Sequence, residues 1–395
     1  MKKFNPIKLI ISTIGILGLI VTPQPNFTEE NYATTHAQTP SSIPSKLSQE
    51  VLQELTQCVT EIVKPTEASL ANLQVASMQC TMRVIMLAPD GSFRPDANQR
   101  MEALLEITGA SIPTTFSQGE GSVKLQKLAN SQVFTLPVNV AGETKNFLLD
   151  TGASSSILDS QIAQELGLVG TPIPNDLLSY FVVGDNCSNV NAQIHSLPTL
   201  KVDAAIVEGI QGMGLANTAI PGNLSGVLGL DFLQKFDVII NPQTLQLKLL
   251  PPSGSVAGAI PLKGRMGVML TEVQINGQGP FIFLLDTGAD LMVLSQGLAE
   301  QLEIDIVNAE KVDVLGFCGT EIAHKVKLEG VSLLQHQASQ LDGVIINNQI
   351  LDLLGVDGIV GQNFLSRYQQ HWRFDEPNKL GFPDGGSLLL TPFND

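Results

Sequence analysis

The chain has 395 residues, of which 43% are hydrophobic and 15% charged, with 35 glycines. That profile suits a glycine-punctuated, β-rich globular protein and excludes a disordered or coiled-coil one. A formal net charge of −16, with no basic patch carrying interleaved aromatics, argues against a nucleic-acid partner.

Lys2, Lys3 and Lys8 flank an apolar run from Leu9 to Val21, broken only by Ser12, Thr13 and two glycines. Its 13 residues fit the apolar core of a secretory signal and fall short of the ~20 that a spanning helix needs. No small-residue cleavage pattern follows closely; Thr35-His36-Ala37 is the nearest. Residues 1–25 are therefore read as a signal peptide or as an uncleaved anchor holding the chain to a membrane through residues 9–21. The protein is expected to be exported, either periplasmic or extracellular, or anchored to the membrane by its N-terminus. Residues 26–46, rich in Pro, Thr, Ser, Asn and Gln, read as a flexible linker.

Leu47, Val51, Leu52, Leu55, Cys58, Val59 and Ile62 recur at helical spacing. Pro65 ends that helix. A second helical stretch runs to about Gln79, and Ala88-Pro89-Asp90-Gly91 reads as a turn. Asp96 is placed as the N-cap of a third helix that ends at Gly109. A helical N-terminal module is thus assigned to residues 47–125. A propeptide, an inhibitory cap and a partner-binding domain all fit it, and plain core packing explains its amphipathic face equally well. The four cysteines, Cys58, Cys80, Cys187 and Cys318, form no C-x-x-C pair, which argues against a zinc site. In an exported chain an even count permits disulfides, with three pairings open.

After residue 130 short runs rich in Val, Ile, Leu and Phe alternate with Gly, Pro, Asn and Asp, a strand-and-turn texture. An internal repeat lies within it. Phe147-Leu148-Leu149-Asp150-Thr151-Gly152-Ala153 recurs as Phe283-Leu284-Leu285-Asp286-Thr287-Gly288-Ala289. Gly226-Val227-Leu228-Gly229 recurs as Gly358-Ile359-Val360-Gly361. The spacing from Asp to the later Gly is 79 residues in the first copy (150 to 229) and 75 in the second (286 to 361). Two landmarks in the same order at nearly the same spacing predict two related halves, 126–255 and 256–395, about a pseudo-two-fold axis.

Such an axis brings Asp150 and Asp286 together. Two adjacent carboxylates cannot both ionise cheaply, so the pair shares a proton. One can then act as general base on a water while the other donates to a peptide carbonyl. That chemistry needs no metal, no cofactor and no covalent intermediate. Gly152 and Gly288 permit close backbone approach. Leu148, Leu149, Leu284 and Leu285 supply a dry floor that strengthens the mutual effect of the charges. A lone Asp-Thr-Gly would be as readily a plain turn; the doubled one shifts the reading to a catalytic pair.

The doubled D-T-G-A with its later apolar-apolar-Gly resembles the retropepsin-like aspartic peptidases, in a fused single-chain form similar to bacterial exported or membrane-associated members. The resemblance covers roughly residues 130–385. It implies a mainly β, bilobal acid-protease barrel following the α-helical module, and an aspartic endopeptidase that acts as a monomer on peptides or unfolded protein. It implies Asp150 and Asp286 as catalytic residues, with Thr151 and Thr287 hydrogen-bonding the two loops together and Gly152 and Gly288 offering N–H groups. Substrate contacts are implied for Ala153, Ser154, Ala289 and Asp290, unequal between the halves because Ser154 stands opposite Asp290. Ala153 and Ala289 lack the hydroxyl that supports the ionised form in pepsin-like enzymes, which implies a mildly acidic optimum. A β-hairpin flap is expected in each half, within Tyr180–Val190 and Val312–Ile322, aligning Val183-Gly184 with Leu315-Gly316. Cys187 and Cys318 then sit near both tips, either as two buried thiols or as a disulfide across the cleft, and Cys58 with Cys80 would form the other pair. The rival readings are a catalytically silent peptide-binding protein on the same fold and a structural envelope protein. Asp231 and Asp237 read as turn and loop residues rather than catalytic ones, His195, His324, His336 and His371 show no partner pattern, and Trp372 and Phe374 read as strand packing.

Overall fold

The computed structural model describes residues 45–64, 69–109, 112–178, 182–184, 187–254 and 256–393. The export segment, the linker up to residue 44, Pro65, Tyr180 and part of the first flap window lie outside the described residues. The chain divides into two units near residues 112–113. Among the described residues no helix is long and apolar enough to cross a membrane.

The N-terminal unit holds three helices: α1 (Lys46–Ile62), α2 (Leu70–Thr81) and α3 (Ala97–Thr108). The Ser45 hydroxyl caps α1 by accepting from the Ser48 N–H. α2 runs on past Gln79 into a five-residue π-helical turn, Met82–Met86, of which Met82, Val84, Ile85 and Met86 are buried. The end of that turn leaves the Val84 carbonyl without a helical partner, and the buried Arg100 guanidinium of α3 donates to it at 3.1 Å. Arg100 also binds Glu54 of α1 at 3.0 and 3.2 Å and Asp96 at 3.1 Å. Asp96 occupies the N-cap position of α3 but spends its carboxylate on Arg94 and Arg100 rather than on a helix N–H. Gly109 closes α3 at φ 64°. The Cys58–Cys80 disulfide staples α1 to α2, with Cα atoms 5.7 Å apart.

The strands begin earlier than the sequence suggested. Phe116–Gln118 pairs with Ala205–Glu208, and Gly121–Lys124 pairs with Gln246–Leu250. Residues 113–125 therefore belong to the β unit, not to the helical module. These strands are short, and Phe116–Gln118 is largely exposed, so neither shows the alternation that marks a strand in sequence.

The β unit contains an eleven-stranded and a thirteen-stranded sheet among the described residues. The same ladder recurs in both. Phe134–Val140 lies antiparallel to Glu143–Leu149, the strand that leads into Asp150. Gly226–Leu228 lies parallel to that strand, with Leu228 opposite Leu149, and antiparallel to Ile157–Asp159. In the second half Val268–Ile275, Gln278–Leu285, Gly358–Val360 and Met292–Ser295 repeat this arrangement, with Val360 opposite Leu285. The apolar-apolar-Gly motif is thus the parallel neighbour of the strand that delivers each Asp. All three residues of each such strand are buried, as expected for strands covered on both faces.

The halves are not two closed bodies. Asp237–Asn241 of the first half pairs with Tyr368–Phe374 of the second, Val238 opposite Trp372. Three strands from each half form one antiparallel run there: Ile260–Arg265, Gly385–Pro392 and Tyr368–Phe374, then Asp237–Asn241, Gln246–Leu250 and Gly121–Lys124. Trp372, Phe134, Phe147, Phe232, Phe283 and Phe364 are fully buried. Each such side chain contributes about 1.5–3 kcal/mol by leaving water.

Candidate active site

The two Asp-Thr-Gly loops interlock. Each begins where its strand ends: the Asp150 N–H donates to the Leu228 carbonyl at 3.2 Å, and the Asp286 N–H to the Val360 carbonyl at 3.1 Å. The next turn is locked from the far side. The N–H of Leu230 donates to the Ala153 carbonyl and that of Gln362 to the Ala289 carbonyl, both at 2.7 Å. A Cβ on Gly229 or Gly361 would lie 2.8 Å from those same carbonyl oxygens, so the later glycine of each motif is required by close backbone packing.

Thr151 and Thr287 then tie the loops to each other. The Thr151 N–H donates to the Thr287 hydroxyl at 3.0 Å, and the Thr287 N–H to the Thr151 hydroxyl at 3.1 Å. Each hydroxyl donates onward across the junction, Thr151 to the Leu285 carbonyl at 3.0 Å and Thr287 to the Leu149 carbonyl at 3.1 Å. Both threonines are fully buried.

This crossing places each carboxyl against the opposite glycine. A Cβ on Gly152 would fall 2.4 Å from the Asp286 carboxyl carbon, and one on Gly288 would fall 2.3 Å from Asp150 Oδ2. Only glycine leaves space for the facing acid. Gly152 and Ala153 donate their N–H groups to Asp150 Oδ1 at 2.8 and 3.1 Å, and Gly288 donates to Asp286 Oδ1 at 2.7 Å. Both aspartates are 0% exposed. Burial first, and the Asp150 carboxylate beside it second, push Asp286 well above the usual carboxylate range; the Gly288 and Gly152 N–H groups pull the other way. The two acids stand together at the ends of strands whose Leu148, Leu149, Leu284 and Leu285 are all buried.

A family model described as gag-polyprotein putative aspartyl protease matches the chain twice, over residues 136–235 and 271–367. The chain belongs to the retropepsin-like aspartic peptidases. Each match spans one Asp-Thr-Gly loop and its later glycine, so the single chain carries the retropepsin-like unit in duplicate. The solved structure of a retropepsin-like aspartic protease from Rickettsia conorii aligns at 19% identity over 34% of this chain and 90% of that one, with a TM-score of 0.25. No curated protein matches the chain.

The residues beyond the dyad of this retropepsin-like chain depart from strict symmetry. Asp290 is 5% exposed, and its Oδ1 accepts from the Ser131 hydroxyl and the Gln132 N–H, both at 2.6 Å. The Asp290 carboxylate thereby straps the second half to the Leu128–Gln132 turn of the first. Ser154, its counterpart, faces the turn at Gly267, where an added Cβ would lie 2.6 Å from the Ser154 Cβ. Gln362, with Leu230 as its counterpart, donates from Nε2 to the Thr287 carbonyl at 3.1 Å and supports only the second loop. Ala153 and Ala289 are fully buried.

The sequence missed two polar clusters. Asp231 accepts from the Ser156 N–H at 2.7 Å and the Ser156 hydroxyl at 2.5 Å, fastening the segment after the first loop; burial pushes its pKa to about 6. Asp237 opens a strand rather than lying in a loop, and its carboxylate contacts His371, Arg373 and Ser253 across the shared sheet. His371 lies 134 residues from Asp237 and Arg373 farther still, so no local motif announces them.

At the flaps the second half forms the expected hairpin: Glu310–Gly316 pairs with Gly319–Leu333 around Phe317 and Cys318. The first half departs from a hairpin among its described residues. It has a short helix, Asn175–Leu178, begun where the Pro174 carbonyl accepts from Leu177 and Leu178, and a 3-10 turn at Cys187–Asn189. The aligned pairs nonetheless meet. Val183 and Gly184 pack on Gly316 and Cys318, and Cys187 is disulfide-bonded to Cys318.

Proposed function

We propose that the chain is an aspartic endopeptidase that hydrolyses peptide bonds with a water activated between Asp150 and Asp286. The observation that carries this reading is the interlock of the two loops, in which each glycine gives way to the opposite carboxyl. The upward shift of Asp286 supports a proton shared by the pair. The ionised partner removes a proton from the water as it attacks the scissile carbonyl, and the protonated one donates to the carbonyl oxygen. Breakdown of the tetrahedral species returns a proton to the leaving nitrogen and restores the pair. Both carboxyls act in water-poor surroundings, where the charge of one weighs most on the other.

Activity requires one proton on the pair, so it fails both when pH is low enough to protonate both acids and when it is high enough to ionise both. With alanine at 153 and 289, no hydroxyl from those positions supports the ionised form, and a mildly acidic optimum follows. Substrates are peptides or unfolded protein. The two disulfides suit an oxidising, exported setting. The test is cleavage of an unstructured peptide library across pH by the wild type and Asp150→Asn. Loss of cleavage in the variant, and inhibition of the wild type by a statine-type mimic, are expected. Equal cleavage by Asp150→Asn would overturn the reading.

A further inference from the structure

The halves touch at the dyad loops and again at the flap tips. The Cys187 and Cys318 Cα atoms are 4.6 Å apart across their disulfide, and the Cys318 N–H donates to the Val183 carbonyl at 3.1 Å. A Cβ on Gly316 would lie 2.0 Å from the Val183 oxygen, and one on Gly184 would lie 2.5 Å from the Cys318 carbonyl carbon. The tips therefore meet backbone to backbone, with no space for a side chain between them.

Sheet runs from each carboxyl to its own tip. Ile157–Asp159, just after Asp150, pairs with Gln211–Leu215, which pairs with Ala192–Ser196. Met292–Ser295, just after Asp286, pairs with His336–Ile346, which pairs with Gly319–Leu333. The threonine hydrogen bonds close this path at the dyad, and the disulfide closes it at the tips. The result is a ring. Hydrogen bonds at the tips can part and re-form, but a disulfide opens only when a nucleophile, a thiolate or an added phosphine, attacks sulfur. Cys187 and Cys318 are 7% and 1% exposed, which shields them from such attack. While the disulfide is intact the tips cannot separate.

We infer that the oxidised protein takes only polypeptide with a free end, threaded through this ring, and rejects closed loops. The inference rests on the peptidase reading above. A loop has to bring two strands through at once, side by side at ~4.8 Å, where one extended strand suffices for a chain end.

The test compares a linear peptide that the protein cleaves with the same sequence closed head to tail by an amide bond. Both are offered to the oxidised wild type, the wild type reduced with a phosphine, Cys187→Ser/Cys318→Ser, and Cys58→Ser/Cys80→Ser. The oxidised wild type and Cys58→Ser/Cys80→Ser are expected to consume the linear peptide and leave the ring intact. The reduced protein and Cys187→Ser/Cys318→Ser are expected to cut both. The reduced wild type carries the comparison if the double variant misfolds. Cleavage of the ring by the oxidised wild type at the rate of the linear form would overturn the inference and leave the peptidase reading standing. No cleavage of any linear peptide in any state would sink the peptidase reading, and the inference with it.

Discussion

Thr151→Val removes one hydroxyl and almost no volume, so its effect isolates the hydrogen bonds that join the two loops. In the wild type that hydroxyl accepts from the Thr287 N–H and donates to the Leu285 carbonyl. Valine does neither. The Thr287 N–H loses its acceptor and the Leu285 carbonyl loses a donor, both at a fully buried junction. An orphaned buried polar group costs about 1–3 kcal/mol, so the substitution should destabilise the β unit by about 2–6 kcal/mol. That is a large share of the ~5–15 kcal/mol that holds a typical domain folded. Thr287→Val strands the Thr151 N–H and the Leu149 carbonyl in the same way, and its bond lengths match to 0.1 Å. The two variants should therefore cost nearly the same, while Thr151→Ser, which keeps the hydroxyl, should cost far less.

The assay is guanidinium unfolding followed by tryptophan fluorescence. Trp372 is the one tryptophan in the sequence, and it is fully buried in the strand where the halves pair. Its signal reports the β unit, not the helical module. A shifted midpoint with an unchanged slope is a change in stability. A Thr151→Val midpoint within about 0.5 kcal/mol of the wild type, the scatter of ordinary surface substitutions, would refute the claim that these bonds hold the dyad loops together. So would a large inequality between the two valine variants, because the argument depends on their symmetry.

Burial and the Asp150 charge hold Asp286 above its ordinary value of 3.8 in the folded state. A carboxyl raised in this way contributes stability that is complete below its unfolded pKa and is lost as pH rises through its folded pKa. Asp286→Asn abolishes that titration, so the variant should gain on the wild type as pH is raised from acid to neutral; parallel stability-against-pH curves would refute this. Asp290→Ala should destabilise by about 1–3 kcal/mol because the Gln132 N–H loses its acceptor. If Asp290 instead contacts substrate, the variant would keep its stability and raise KM, which kinetics and unfolding together would distinguish.

What the sequence revealed and what it hid follow from range. Asp150-Thr151-Gly152-Ala153 and its copy were legible because the turn, the glycine and the parallel Gly226–Leu228 or Gly358–Val360 strand are short-range geometry written twice. A single copy of that geometry would have passed for an ordinary turn. The shared sheet was illegible. Val238 meets Trp372 through backbone groups that every residue possesses, and no side-chain pattern encodes a pairing at such separation. The Asp237, His371 and Arg373 cluster was hidden for the same reason. Asp290 is legible only as a motif position, because the Ser131 hydroxyl and Gln132 N–H that bond its carboxylate come from a turn of the other half. A repeat reveals what the halves hold in common, whereas Asp290 against Ser154 and Gln362 against Leu230 are the positions where they differ. A pseudo-symmetric axis forces the two carboxyls to be equivalent in placement, and these unequal neighbours give Asp150 and Asp286 different surroundings from which to divide one proton.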